Sequence, residues 1–90
     1  MDAIRFSGPE QKKQYLAWLD ANPTLFVLNS YHRVSSSYLM LHSASCRYVA
    51  MQNPTRRYSK TCGTRDAIKT FLLGELGPDA TWDQCAHCLA

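Results

Sequence analysis

The first regular pattern of apolar positions lies between residues 9 and 22. Ser7 and Glu10 have the spacing of a capping box, in which the two side chains satisfy backbone N–H groups at a helix start. Asn22 and Pro23 end the pattern, because proline cannot continue a helix. Four apolar side chains recur in between at helical spacing: Tyr15, Leu16, Trp18 and Leu19. The pattern predicts a helix over residues 7–22, with Trp18 in the core.

Four later stretches are rich in residues that favour β-strands. Residues 25–31 and 38–42 predict two antiparallel strands joined by a polar loop, and residues 46–51 and 57–62 predict a third and a fourth strand. Asn53 and Pro54 indicate a turn between the last two. The alternation in the second strand puts Leu39 and Leu41 on one face, and it puts Tyr38, Met40 and His42 on the other.

A second helix is predicted over residues 65–76. Thr64 can cap its start, and Gly77 and Pro78 end it. Its apolar stripe consists of Ile68, Phe71, Leu72 and Leu76. Each helix has a single apolar stripe, which suits packing on a sheet. We therefore expect one α+β domain over residues 1–90, with two helices on a mostly antiparallel sheet of three to four strands.

Composition bounds the stability and the cellular location. With 90 residues, of which 46% are hydrophobic, the chain has a globular composition. A chain this short buries only about 60% of its unfolded surface, so a metal staple would add needed stability. The first residues do not have the pattern of an export signal, and no apolar run approaches the roughly 20 residues of a membrane helix. We expect a cytoplasmic protein without membrane contact.

Cysteine and histidine spacing predicts a metal site. Cys85 and Cys88 form a CxxC pair, and His42 precedes Cys46 by four positions. Three thiolates and one imidazole complete a tetrahedral zinc site. In a reducing compartment, cysteines are more often metal ligands than disulfides, with four unliganded thiols as the alternative. The sequence predicts a zinc staple that ties the middle of the chain to residues 85–88.

Two further residues leave the ligand set open. Cys62 ends a predicted strand, where a buried structural thiol is the common outcome. It is also the alternative fourth ligand in place of His42, which would make every ligand a thiolate. His87 lies within the CxxC pair, and we expect it to face solvent.

The sequence does not predict a catalytic site. A closed set of four protein ligands leaves no position for a reactive water, which argues against hydrolysis at the metal. Cys46 or Cys62 could be paired with His32 or His42 as thiolate and base, but no spacing requires them to meet. The carboxylates are scattered singly. A thiol-based enzyme or a methyl acceptor remains an alternative to a non-enzyme.

Cations and aromatic residues are interleaved in the middle of the chain. The net charge of +3 permits a polyanionic partner without requiring one. Mixed arginines and tyrosines are typical of surfaces that follow phosphates and stack on bases. A basic strand edge that resists aggregation is the alternative. The predicted nucleic-acid contacts are Arg47, Arg56, Arg57, Tyr58 and Lys60.

Several short segments also carry a family resemblance. They are Ala21-Asn22-Pro23, Phe26-Val27-Leu28-Asn29, Leu41-His42-Ser43-Ala44-Ser45-Cys46 and the terminal CxxC. Their order resembles the metal-binding module of the Ada DNA-repair proteins, and also short bacterial domains found alone or fused to nucleases and restriction-type proteins. The resemblance implies a metal-bearing fold that works beside DNA. The Ada module has four cysteines, one of which accepts a methyl group, whereas His42 stands at the first ligand position here.

The functional expectation combines these observations. We expect a non-catalytic, zinc-stabilised binding module that acts with DNA or with a DNA-processing protein. The alternative is a module for protein–protein interaction or regulation, in which zinc is purely structural.

Overall fold

The fold is a five-stranded mixed sheet with helices on both faces, in a computed structural model that describes residues 2–89 apart from the side chain of Ala50. The strands are β1 (Ile4–Ser7), β2 (Phe26–Tyr31), β3 (Leu39–Ser43), β4 (Tyr58–Gly63) and β5 (Asp83–Gln84). The helices are α1 (Lys12–Ala21), α2 (Arg47–Met51) and α3 (Arg65–Leu76), and a 3-10 turn (Pro9–Gln11) precedes α1. The predicted α+β class is confirmed, with more strands than the three to four expected and one additional short helix.

Neighbouring strands in the sheet are mostly not neighbours along the chain. The order is β1-β4-β2-β3-β5, and every pair is antiparallel except β3 with β5. Strand β4 therefore lies inside the sheet, between β1 and β2. Val27 in β2 pairs with His42 of β3 on one side and with Cys62 of β4 on the other. This register fixes the distance between the two candidate ligands.

The sheet buries a separate apolar cluster on each face. One cluster joins α1 and α2 to the sheet, and the other joins α3 to the opposite face. The strand alternation decides which residue goes where, because successive side chains point to opposite faces. The α1-side cluster contains Phe6, Tyr15, Leu19, Val27, Ala44, Cys46, Val49, Cys62 and Cys85. The α3-side cluster contains Leu28, Leu39, Leu41, Ile68 and Leu72, with Trp82 packed against it.

The start of the first helix differs from the prediction. Ser7 belongs to β1, and its N–H donates to Gln11 Oε1 at 2.6 Å, so the predicted capping box with Glu10 is wrong. Gly8 follows with φ 85°, a left-handed conformation that glycine adopts without strain. The glycine turns the chain from the strand into the 3-10 turn. At the other end Asn22 Nδ2 donates to Trp18 O at 2.9 Å, which closes the helix where expected.

Residues 46–51 form α2, so the predicted third strand is wrong. A strand directly after β3 would need a free side of the sheet, but β2 and β5 already flank β3. The chain instead turns back, with the Cys46 N–H donating to Ser43 O at 3.0 Å. Val49 packs into the α1-side cluster, and its carbonyl accepts a hydrogen bond from the Tyr15 hydroxyl at 3.2 Å.

The second half of the chain follows the sequence prediction closely. Strand β4 confirms the predicted fourth strand, and Thr64 caps α3 by accepting from the Ala67 N–H at 3.0 Å. Gly77, with φ 89°, ends that helix. Of the helices described within residues 2–89, none is both long and apolar enough to cross a membrane.

Candidate metal centre

Four predicted ligands come together at one edge of the sheet. The imidazole of His42 and the thiols of Cys46, Cys85 and Cys88 each offer one donor atom, and these atoms all lie within 4.8 Å of one another. Donors bound to one zinc ion lie about 2.0–2.3 Å from it, so two of them cannot be more than about 4.6 Å apart. The cluster therefore needs only a small contraction to hold a metal ion.

Backbone pairing brings the two halves of the cluster together. His42 is in β3, and β5 lies parallel to β3 along the sheet edge. The pairing continues for one residue beyond β5, where the Cys85 N–H donates to Leu41 O at 2.9 Å. The chain then turns, and the Leu89 N–H donates to Cys85 O at 2.9 Å. This turn returns Cys88 to β3.

Backbone N–H groups also point at the sulfur atoms. The Ser43 N–H donates to Cys88 Sγ at 3.3 Å. Burial acts to raise the pKa of Cys46, but hydrogen bonds from Cys88, from the Tyr48 and Val49 backbone and from Cys85 outweigh it and lower this pKa. Burial raises the pKa of Cys88 to about 12. Of these two thiols, Cys46 therefore loses its proton more readily than Cys88, and a bound cation would favour the loss of further protons.

The His42 imidazole is in the protonation state that metal ligation requires. Burial, and secondarily the positive charge of Lys60, lowers the pKa of His42, so the ring is neutral at neutral pH. Its Nδ1 is buried and has no hydrogen-bond partner among the described residues. A buried polar atom without a partner costs free energy, which coordination of a cation would remove. Three thiols and this imidazole therefore fit a metal ion as a closed four-donor set.

Cys62, the alternative fourth ligand, lies outside the cluster. It is on the same sheet face as His42, but Val27 of β2 stands between them. Two strand spacings separate their Cα atoms by roughly 10 Å, so Cys62 is too far away to take the place of His42 in the cluster. Cys62 is fully buried among apolar side chains, and this burial raises the pKa of its thiol to about 12.

His87 is exposed, as expected from its position within the CxxC pair. Its ring centroid lies 4.3 Å from that of Tyr48, so it packs over the start of α2. It is not part of the four-residue cluster. All four cysteines of the chain are free thiols.

The predicted nucleic-acid contacts do not form one surface. Arg56 and Arg57 are exposed in the loop before β4, and the Arg57 guanidinium lies 5.6 Å from the Tyr58 ring centroid. Arg47 is on α2, where it lies over the Tyr48 ring at 5.4 Å. Lys60 is only 1% exposed, so it does not share an open surface with these arginines. The alternative, a basic strand at the edge of the sheet that resists aggregation, is wrong for β4. This strand has a neighbouring strand on both sides.

A cavity of about 530 Å³, which the sequence pattern did not predict, lies at the opposite end of the α1-side face. Its lining includes three tyrosines, three amide side chains and the buried lysine: Tyr31, Tyr38, Tyr58, Asn29, Gln52, Asn53 and Lys60. A signal was present in the sequence, since Asn29 is a polar residue in the middle of an apolar strand, two positions before Tyr31. Residues two apart in a strand share a face.

The cluster and the cavity occupy the same side of the sheet, and they have different chemistry. The cluster brings four donor atoms within 4.8 Å of one another, whereas the cavity has mixed polar and aromatic walls. Comparison of the chain with protein-family models, with curated proteins and with solved structures found no match.

Proposed function

We propose that this chain is a non-catalytic binding module whose fold is stabilised by one zinc ion on His42, Cys46, Cys85 and Cys88. The convergence of these four donor atoms within 4.8 Å carries the proposal. Three thiolates with one imidazole are a ligand set of structural zinc sites, which are tetrahedral and closed. With four protein ligands, no position remains for the water that a catalytic zinc activates.

Zinc is favoured over other metals by the chemistry of the donors. Soft thiolates in a tetrahedral arrangement select zinc or an iron–sulfur cluster. A mixed set with one imidazole, whose four donor atoms all lie within 4.8 Å of one another, supports a single zinc ion. Zinc also has no redox chemistry of its own, which suits a structural role.

The local fold shows what such an ion would hold in place. Strand β5 has only two residues, Asp83 and Gln84, and both are exposed. Two residue pairs between β5 and β3 hold the segment after β5 only weakly to the sheet. A zinc ion would link this segment to β3 through His42, and to the start of α2 through Cys46.

We infer that the ligand of the module is single-stranded DNA. The support comes from the end of the sheet far from the cluster, where exposed arginines lie in the segments next to residues that line the tyrosine-rich cavity. Arg56 and Arg57 precede β4, and the Arg57 carbonyl accepts from the His32 N–H at 2.7 Å, which brings the neighbouring Arg33 close. Arginines can follow phosphates, and recessed tyrosines can stack on unpaired bases but not on bases within a duplex.

The zinc proposal is tested by metal analysis of freshly purified protein before and after chelation. We expect one zinc per chain, with loss of thermal stability on chelation and recovery on adding zinc back. Protein that is folded and equally stable without any metal would contradict the structural role.

The DNA proposal is tested by fluorescence anisotropy with single-stranded and duplex oligonucleotides between about 50 and 200 mM salt. The double variant Arg56→Glu/Arg57→Glu should weaken binding and reduce the salt slope by about one unit for each lost phosphate contact. Lys12→Glu/Lys13→Glu, with the same charge change on exposed positions of α1, should have a smaller effect. Lack of binding to both kinds of DNA would instead favour a protein partner.

A further inference from the structure

The cavity at the end of the sheet contains a buried cation that lacks a counter-charge. The Lys60 ammonium donates to Asn29 Oδ1 and lies 5.9 Å from the Tyr15 ring centroid. Among the described residues that line the cavity, none carries a carboxylate. The Cys62 thiol, which would favour the lysine charge if ionised, is neutral because burial raises its pKa to about 12. A ligand that supplies negative potential would compensate this cation.

The amide next to Lys60 is held in one orientation. Asn29 Nδ2 donates to Gln52 Oε1 at 2.8 Å and to the Tyr38 hydroxyl at 3.3 Å, so its oxygen faces the ammonium. An ammonium has three N–H donors, and Asn29 is the hydrogen-bond acceptor found for it among residues 2–89. Lys60 therefore has donor capacity left for an acceptor within the cavity.

The tyrosines form an aromatic wall of the cavity, next to Asn29 and Lys60. The Tyr31 and Tyr58 rings lie with centroids 5.6 Å apart and an interplanar angle of 23°, and Tyr38 meets Tyr58 edge-on at 76°. Tyr31 and Tyr58 are paired across β2 and β4, so the backbone ladder fixes their positions. Because these rings are already held in place, stacking of another planar group on them costs little side-chain entropy.

We propose that this cavity binds one unpaired base that presents a carbonyl oxygen, guanine or thymine in preference to adenine, with Lys60 as the hydrogen-bond donor to that oxygen. The proposal rests on the proposed function, since the strand that carries the base would lie on Arg56 and Arg57. A volume of about 530 Å³ lies in the range of small-ligand cavities. A base within a duplex is stacked on its neighbours and must leave the stack to enter such a site.

The preference follows from the edges of the bases. Guanine presents O6 and N7, which are both acceptors, and thymine presents O4. Adenine presents an N6 amino donor beside its N7, so a buried ammonium would meet a second donor there. Cation donors on the O6 and N7 atoms of guanine are also a common specific contact in DNA recognition.

The test uses the zinc-loaded protein with three single strands: twelve adenines, the same strand with one central guanine, and the same strand with one central thymine. We expect the guanine and thymine strands to bind about tenfold more tightly than the adenine strand. Lys60→Met should abolish this difference. Lys69→Met removes the same charge from an exposed position on α3 and should keep it.

Equal affinity of the wild-type protein for all three strands would overturn the base preference and leave the DNA proposal standing. Absence of binding to any strand would overturn the DNA proposal, and titration with deoxyguanosine and deoxyadenosine monophosphates then tests the cavity directly. A preference for the guanine nucleotide would support the cavity site, and its absence would overturn that site as well.

Lys60→Met leaves Asn29 Oδ1 without its donor and can destabilise the fold, so its thermal unfolding is measured beside the binding. Tyr58→Leu provides a second variant, because Tyr58 is half-buried and lines the cavity. It should weaken binding to all three strands by removing a stacking face. Unchanged affinity of a folded Tyr58→Leu protein would contradict base binding in this cavity.

Discussion

Cys85 and Cys62 are both buried cysteines of the α1-side cluster, and their local contacts differ. Cys85 is at the sheet edge with three other donor atoms within 4.8 Å. Cys62 is inside the sheet on β4, surrounded by apolar side chains. The pair therefore separates the loss of a metal ligand from the loss of a buried thiol.

We expect Cys85→Ala to abolish stoichiometric zinc binding and to lower the melting temperature strongly, because the ligand set contributes folding free energy. Cys62→Ala should keep one zinc per chain and cost on the order of 1 kcal/mol, as for a small cavity in a core. Zinc analysis and thermal unfolding of the two variants measure this. If Cys62→Ala lost the metal while His42→Ala kept it, Cys62 would be the fourth ligand.

Lys60 should make stability depend on pH in the alkaline range. Burial lowers the pKa of Lys60 from 10.5 to about 8. The charged form is therefore disfavoured in the folded state, and the full penalty applies below pH 8 and disappears as the pH rises toward 10.5. Tyr15, His42 and Cys62 are the titratable groups that interact with it or lie beside it.

Urea unfolding of the wild type and of Lys60→Met, at several pH values between 7 and 10, isolates this effect, since the other titrating groups are shared. We expect the wild type to gain free energy of unfolding relative to Lys60→Met above pH 8. A difference that stays constant over this range would mean that Lys60 has an ordinary pKa in the folded protein.

At the scale of single elements, α2 connects the two sites on the α1-side face. Cys46, which belongs to the metal cluster, precedes the helix directly. Gln52, Asn53 and Thr55, which follow it, line the cavity. Displacement of Cys46 would therefore move the residues that border the cavity, through a helix of only five residues.

Chelation should consequently weaken the binding of single-stranded DNA, although the exposed arginines are not metal ligands. We expect the loss to exceed that in Thr64→Ala, which removes the cap of α3 on the other face and costs about 1 kcal/mol. Anisotropy titrations of chelated wild type and of zinc-loaded Thr64→Ala make the comparison. Equal affinities with and without zinc would show that α2 holds its position unaided.

The elements that were predicted correctly are those whose own residues determine their structure. Helix α3 has a threonine cap, an apolar stripe and a terminal glycine, and all three are visible in the sequence. Strands β2 and β3 have enough alternating residues to define a face. The HxxxC and CxxC spacings were sufficient to identify the cluster, because few side-chain types bind metals.

The elements that sequence missed depend on distant partners. Strand β1 is short, and its partner β4 lies far along the chain. Strand β5 is two polar residues, without any apolar pattern. Residues 46–51 fit a strand or a short helix equally well, and the occupied flanks of β3 decide between them. The burial of Lys60 likewise follows from the position of β4 inside the sheet, which its own residues do not show.

At the scale of the whole molecule, the proposed zinc ion should act unevenly. The ladder between β2 and β4 has six residue pairs and contains none of the four candidate ligands, whereas the segment after β5 would depend on the proposed ion. Hydrogen exchange should therefore show early loss of protection at residues 83–89 after chelation, while β2 and β4 remain protected longer. Simultaneous loss over the whole sheet would mean that the ion stabilises the entire fold as one cooperative unit.

The strand order has a consequence for the time course of folding. The β2 and β3 hairpin can form as soon as it is synthesised, but β4 must later insert between β2 and β1, and such long-range pairing is slow. Until residues 85–88 arrive, His42 and Cys46 would supply only two of the four donors of the proposed zinc site. During this interval Cys46 would be an unliganded thiol, which is open to oxidation. The yield of intact protein should therefore depend on the zinc supply at the moment when residues 85–88 emerge from the ribosome.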